Sequence, residues 1–164
     1  MIDKIPEIRI LQQKILIGKR LQMSLSDNKT GILWTDFMRN RSQIKNVAGT
    51  DKYSIQIYGP DYFSHFNADK TFEKWAAVEV HNVESIPDGF EKFTLPDGNY
   101  AVFNYKGSNE NAATAFRYIF EDWFPKSGFL PDNRPYFEIL GNRYKNADPS
   151  SEEEIWIPVK SEQT

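Results

Sequence analysis

The chain has 164 residues, a length that suits one domain able to bury roughly two-thirds of the surface its unfolded form exposes. A formal net charge of −3, from 20 Lys and Arg against 23 Asp and Glu, supplies no field that would draw the protein to nucleic acid. Zero cysteines exclude a disulfide framework and any thiolate zinc site or nucleophile. The opening "MIDKIPEIRILQQKILIGKRL" lacks a signal-peptide apolar region, and no uncharged run approaches the roughly 20 residues of a membrane span. A cytoplasmic location without membrane contact is therefore expected. Aromatics reach 15%, a share that fits both a core and the walls of a small-molecule pocket.

Extended structure is predicted first, over about 7–25, where "IRILQQKILIGKRLQMSL" alternates in part and is rich in Ile and Leu. "SDNKTG" is a turn and helix cap. "ILWTDFMRNRSQI" follows as a helix with Leu33, Phe37 and Ile44 on one face and Trp34 beside it, ended by "VAGTDK". "YSIQIYG" alternates strictly and reads as a strand, "PDYFSHFNADKTF" as loop, and "EKWAAVEV" as another strand.

A second series starts near residue 90. "FEKFTLPDGNYAVFNYKG" reads as strand, Pro96-Asp97-Gly98 reversal, strand. "SNENAATAFRYIFEDWFPKSG" is a helix that Asn109 or Asn111 can cap. Phe116, Ile119, Phe120 and Trp123 mark its buried stripe, and Pro125 and Gly128 are expected to stop it. "PYFEILG" and "EIWIPV" close the chain as strands around the acidic loop "NADPSSEEE".

The two series share one order of elements, and "YSIQIYG" and "PYFEILG" both end in glycine, which sets Gln56 over Glu138. A single domain of two pseudo-repeats, about 5–82 and 88–160, is the expectation. The fold class that follows is α+β. Two βαββ units would join about a pseudo-twofold axis into one antiparallel sheet, with helices on one face and a ligand cleft on the other.

Glu138 is the leading candidate residue. Alternation puts Tyr136, Glu138 and Leu140 on one face of their strand and Phe137 and Ile139 on the other. That face is either solvated or the floor of the cleft, where a buried carboxylate must find partners or take a proton. Glu154 raises the same question beside Trp156, whereas Glu152 and Glu153 read as loop charges in water. Trp34 and Trp123 are core anchors or cleft rims, and the hydroxyls of Tyr100 and Tyr136 suit hydrogen bonding to a carboxylate. His65 and His81 stand far apart, no metal motif is present, and no cofactor is expected. Neither a G-x-S-x-G elbow nor a phosphate-cradling P-loop occurs.

"LPDGNYAVFNYKG", a helix ending "DWFPKSG", then "PYFEILGNRY" and "EEEIWIPV" together resemble the GyrI-like small-molecule-binding domains, also called AraC-type effector-binding domains. "IGKRL", "ILWTDFM" and "EKWAAVEV" extend the likeness through the first half. The resemblance implies two βαββ units around a ligand cleft, with an acid among aromatics that meets cationic compounds. It carries that acid onto Glu138 and a second one onto Glu154.

The resulting expectation is a stand-alone protein that binds a hydrophobic or cationic organic compound, in sensing, sequestration or resistance. Its cleft would use Glu138, Glu154, Trp34, Tyr100, Trp123, Tyr136 and Trp156, with no direct nucleic-acid binding. Two alternatives stand beside it. One is a hydrolase of reactive, cyclopropane-bearing electrophiles with Glu138 as acid or base, an activity found among stand-alone relatives. The other is an inhibitor module that acts on a protein partner.

Overall fold

The structure is a computed structural model that describes residues 1–65, 67–108, 112–145 and 148–162. The predicted alternation appears as strands. β1 spans Glu7–Leu11, β2 Lys14–Ser24, β3 Lys52–Ile57, β4 Thr71–Glu79 and β5 Glu91–Leu95; β6 spans Gly98–Lys106, β7 Phe129–Pro131, β8 Tyr136–Leu140 and β9 Glu152–Ser161. Every ladder is antiparallel, in the order β1-β6-β9-β8-β3-β4-β2-β5, with β7 added to β9. With helices packed on one side, this is the expected α+β architecture.

Helix α1, Thr30–Asn40, starts where Asn28 Oδ1 accepts the Thr30 N–H at 3.0 Å. It buries Leu33 and Phe37, and a short 3-10 turn, Arg41–Gln43, carries the chain on to buried Ile44. This stripe lies on Ile17, Ala76 and Val78 of β2 and β4.

The second helical segment runs as α2, Ala112–Arg117, a π-turn, Tyr118–Trp123, and α3, Phe124–Ser127. Ile119 and Phe124 pack on Ala101, Phe103, Ile155 and Ile157 of β6 and β9. Pro125 does not stop the helix. Phe124 N–H donates to the Ile119 carbonyl five residues back, so the turn is already widened before the residue that lacks an N–H. The segment ends instead at Gly128, whose φ of 77° suits the left-handed cap. The expected cap at Asn109 or Asn111 lies outside the described residues.

Two further expectations are corrected by the strand order. Pro96-Asp97-Gly98 does not reverse the chain, because β5 pairs with β2 while β6 pairs with β1. The same register continues through both ladders, from Glu7↔Val102 to Gly18↔Glu91. β1–β2 and β5–β6 therefore make one kinked two-stranded ribbon, and the sheet must curl to bring the ends of its strand order together.

The curl fills the helix-free face. Leu11, Leu16, Leu95 and Tyr100 from the ribbon close over Tyr53, Ile55, Trp75, Phe137 and Trp156 as one buried cluster. The cleft expected on that face is a packed core. The cavity that holds Glu138 lies on the helix side. Among the described residues, no helix is long and apolar enough to cross a membrane.

Candidate functional site

Glu138 stands on β8 in register with Ser54 of β3 and Ile155 of β9. Ser54 is in turn in register with Ala76 of β4, beneath α1. This row lies on the helix-bearing face, as alternation requires once Phe137 is inside the opposite core. α1 covers only part of the face near it. Trp34, Gly31 and Met38 of α1 stand over Ser54, Lys74, Glu138 and Leu140, and Tyr144 and Glu153 complete the wall of a cavity of about 750 Å³.

Five ionisable groups line the cavity: Glu138, Lys74, Glu153, Tyr144 and Lys52, the last in register with Leu140. Glu138 is half-buried overall, but its Oε2 is sealed from solvent and has no hydrogen-bond partner. Burial pushes its carboxyl pKa up, against the pull of Lys74 and the Gln56 side chain. Burial likewise lowers the Lys74 ammonium, against the attraction of Glu138 and Glu153. Glu153 is pushed up to about 8, first by burial and then by the like charge of Glu138, so it holds a proton at neutral pH. The Tyr144 hydroxyl is raised by burial and by both acids.

Chemically, the floor offers an acceptor without a donor, a partly compensated ammonium and a protonated carboxyl. Trp34, edge-on to Phe37 with centroids 5.5 Å apart, gives the wall a ring anchored in the core. Among the described residues, no cluster of three or more His, Cys, Asp or Glu is placed to hold a metal ion.

Of the residues expected from sequence, Glu138 and Trp34 come together at this cavity. Tyr136 shares the face of Glu138 but sits in a ring cluster with Tyr58, Phe63 and Phe120. Trp123 packs edge-on to Phe103 and parallel to Phe129 under the second helical segment. Tyr100 and Trp156 belong to the core of the opposite face, with centroids 5.7 Å apart.

Glu154 faces that side too. It accepts the Trp156 Nε1–H at 3.1 Å and lies 3.6 Å from the Arg9 guanidinium. Strand parity separates Glu154 from Glu138, so the second acid in the cavity is its neighbour Glu153. The reading of Glu153 as a loop charge in water is corrected: it sits in β9, in register with Tyr105 of β6.

Lys74 was also missed. Its signal was present in the sequence, since it shares a strand face with Phe72, Ala76 and Val78, all buried. A lone lysine in an apolar row is as informative as a lone glutamate.

Known proteins share this architecture. A curated relative, the transcriptional regulator BrlR of Pseudomonas aeruginosa, is 25% identical over 146 residues, covering 88% of this chain. Those residues make up 51% of that regulator, so the chain spans about half the length of the curated relative it matches. Among solved structures, SAV2435 bound to tetraphenylphosphonium aligns with a TM-score of 0.73 at 15% identity, covering 94% of this chain and 93% of that one. The EcmrR C-terminal domain aligns at 0.69 and 14% identity, over 94% and 96% of the two chains. The family model for GyrI-like small molecule binding domains matches residues 5–160, and the chain belongs to that family.

Proposed function

We propose that the protein binds a hydrophobic organic compound with a cationic or strongly donating group in the cavity over Glu138, as a sensing or sequestering module. The observation that carries this reading is Glu138, a residue that lines a cavity of about 750 Å³ and whose Oε2 is a buried acceptor without a partner. Leaving such an oxygen unpaired costs about 1–3 kcal/mol, a penalty relieved when the carboxylate turns to meet a ligand donor in the cavity. Trp34 and Tyr144 then supply ring surface to an organic cation, each well-placed contact worth about 0.5–2 kcal/mol.

The family assignment and the cation bound by one structural neighbour support the same reading. So does the transcriptional regulator among the relatives, about half of which matches this chain.

The test is a fluorescence-anisotropy titration with the ethyl ester of rhodamine B, a lipophilic cation. Glu138→Gln keeps the shape and removes the charge, and is expected to weaken binding about tenfold. Equal affinity for the wild type and the variant rejects the role given to Glu138.

A further inference from the structure

A cavity meant only for cations has no use for a lysine in its floor, yet Lys74 is there, 9% exposed. An ammonium in the row Phe72, Lys74, Ala76, Val78 adds nothing to the core and bears a desolvation cost. The acids nearby do not remove that cost, because burial outweighs the attraction of Glu138 and Glu153.

The backbone register shows why. Glu138 lies in the row Glu138–Ser54–Ala76, whereas Lys74 lies in the row Tyr136–Gln56–Lys74. The two residues are rooted two strands and two residues apart, roughly 12 Å between Cα atoms by standard sheet spacing. Gln56, between them, is turned toward Ser54, with its Nε2 donating to Ser54 Oγ at 3.5 Å. Both charged side chains line the same cavity from opposite sides of β3. A molecule lying across β3 therefore meets Lys74 at one end and Glu138 at the other, with half-buried Lys52, in register with Leu140, on the side of the acid.

We infer that Lys74 sets the ligand class: the cavity accepts amphoteric organic compounds, with an anionic or strongly accepting group for the Lys74 ammonium and a cationic or donating group for Glu138. This rests on the reading of the cavity as a binding site and narrows it. A permanent cation without an acidic group meets Lys74 with like charge and leaves that ammonium unpaired. An amphoteric ligand pairs both charges at once. Glu153, which keeps its proton at neutral pH, and Tyr144 remain as hydrogen-bond donors to the same ligand.

The experiment compares rhodamine B, which carries a free carboxylate beside its cationic xanthene, with its ethyl ester, in which that carboxylate is masked. Anisotropy titrations at pH 7 use the full chain as wild type, Lys74→Met, Lys74→Gln and Glu138→Gln, with circular dichroism confirming folding. The wild type is expected to bind rhodamine B about tenfold more tightly than the ester. Both Lys74 variants should bring the two dyes to within about twofold, while Glu138→Gln weakens both dyes together.

Equal binding of the two dyes by the wild type overturns the role of Lys74 and leaves the cavity reading standing. A preference that persists in both Lys74 variants does the same. Failure of both dyes to bind the wild type overturns the inference together with the reading beneath it. Retention of binding by Lys74→Gln when Lys74→Met has lost its fold supports the inference only if the dye preference is gone.

Discussion

Glu153→Gln should make the protein more stable at alkaline pH and flatten the dependence of its stability on pH. The folded state holds the Glu153 carboxyl at about 8 against an ordinary 4.5, so across that window it binds a proton that the unfolded chain has released. Stability therefore falls as pH rises from about 4.5 through about 8, and the stabilisation present at the acidic end is lost at the alkaline end. At about 1.4 kcal/mol per pKa unit, a displacement of this size amounts to several kcal/mol. Partial solvent contact and the coupling to Glu138 reduce it, and a fall of about 2–3 kcal/mol between pH 5 and pH 8.5 is expected. Glutamine keeps the shape and the neutral state of the protonated acid, so the variant should lose most of that slope and gain at pH 8.5. Urea unfolding followed by tryptophan fluorescence at pH 5, 6, 7 and 8.5 measures the two profiles. Parallel profiles for the wild type and Glu153→Gln would refute the placement of this acid in a desolvated cluster with Glu138.

Two further predictions concern the scaffold that positions the cavity. Phe37→Ala empties a fully buried site between Trp34 and Phe90 and should cost about 3–5 kcal/mol in urea unfolding. Because Trp34 loses its edge contact, dye affinity should fall in the same variant under conditions where it remains folded. A cost below 1 kcal/mol would argue against this packing of α1 on the sheet. Gly18→Ala puts a β-carbon into the Ala76 carbonyl oxygen and 2.6 Å from the Ala77 β-carbon, a close approach at the point where Gly18 of β2 is in register with Ala77 of β4. It should destabilise by at least about 1–3 kcal/mol, and a neutral effect on the melting temperature would contradict that approach.

Much of the architecture was legible because strand parity is a local property. The alternation of "PYFEILG" assigned Tyr136, Glu138 and Leu140 to one face without knowledge of any neighbour, and β8 keeps that assignment. The stripe Leu33–Phe37 and the stop at Gly128 are local in the same way. What each face would meet was not local. The helix-free face is closed by a ribbon that joins residues 7–18 to 91–102, and Pro96-Asp97-Gly98 looks like a reversal until β5 and β6 are seen to pair with strands far away in sequence.

The same division runs through the site. Sequence alone placed an acid on a strand face, supplied Trp34 on a helix, and left no thiol and no metal-binding motif to compete with them. Only the tertiary structure decided that Glu153 rather than Glu154 joins Glu138, and that Tyr100 and Trp156 are spent in a core. It also brought Lys74 from another strand into the same cavity. The reason is physical: parity and propensity act over a few residues, whereas desolvation, which gives a carboxylate or an ammonium its character, depends on everything packed around it.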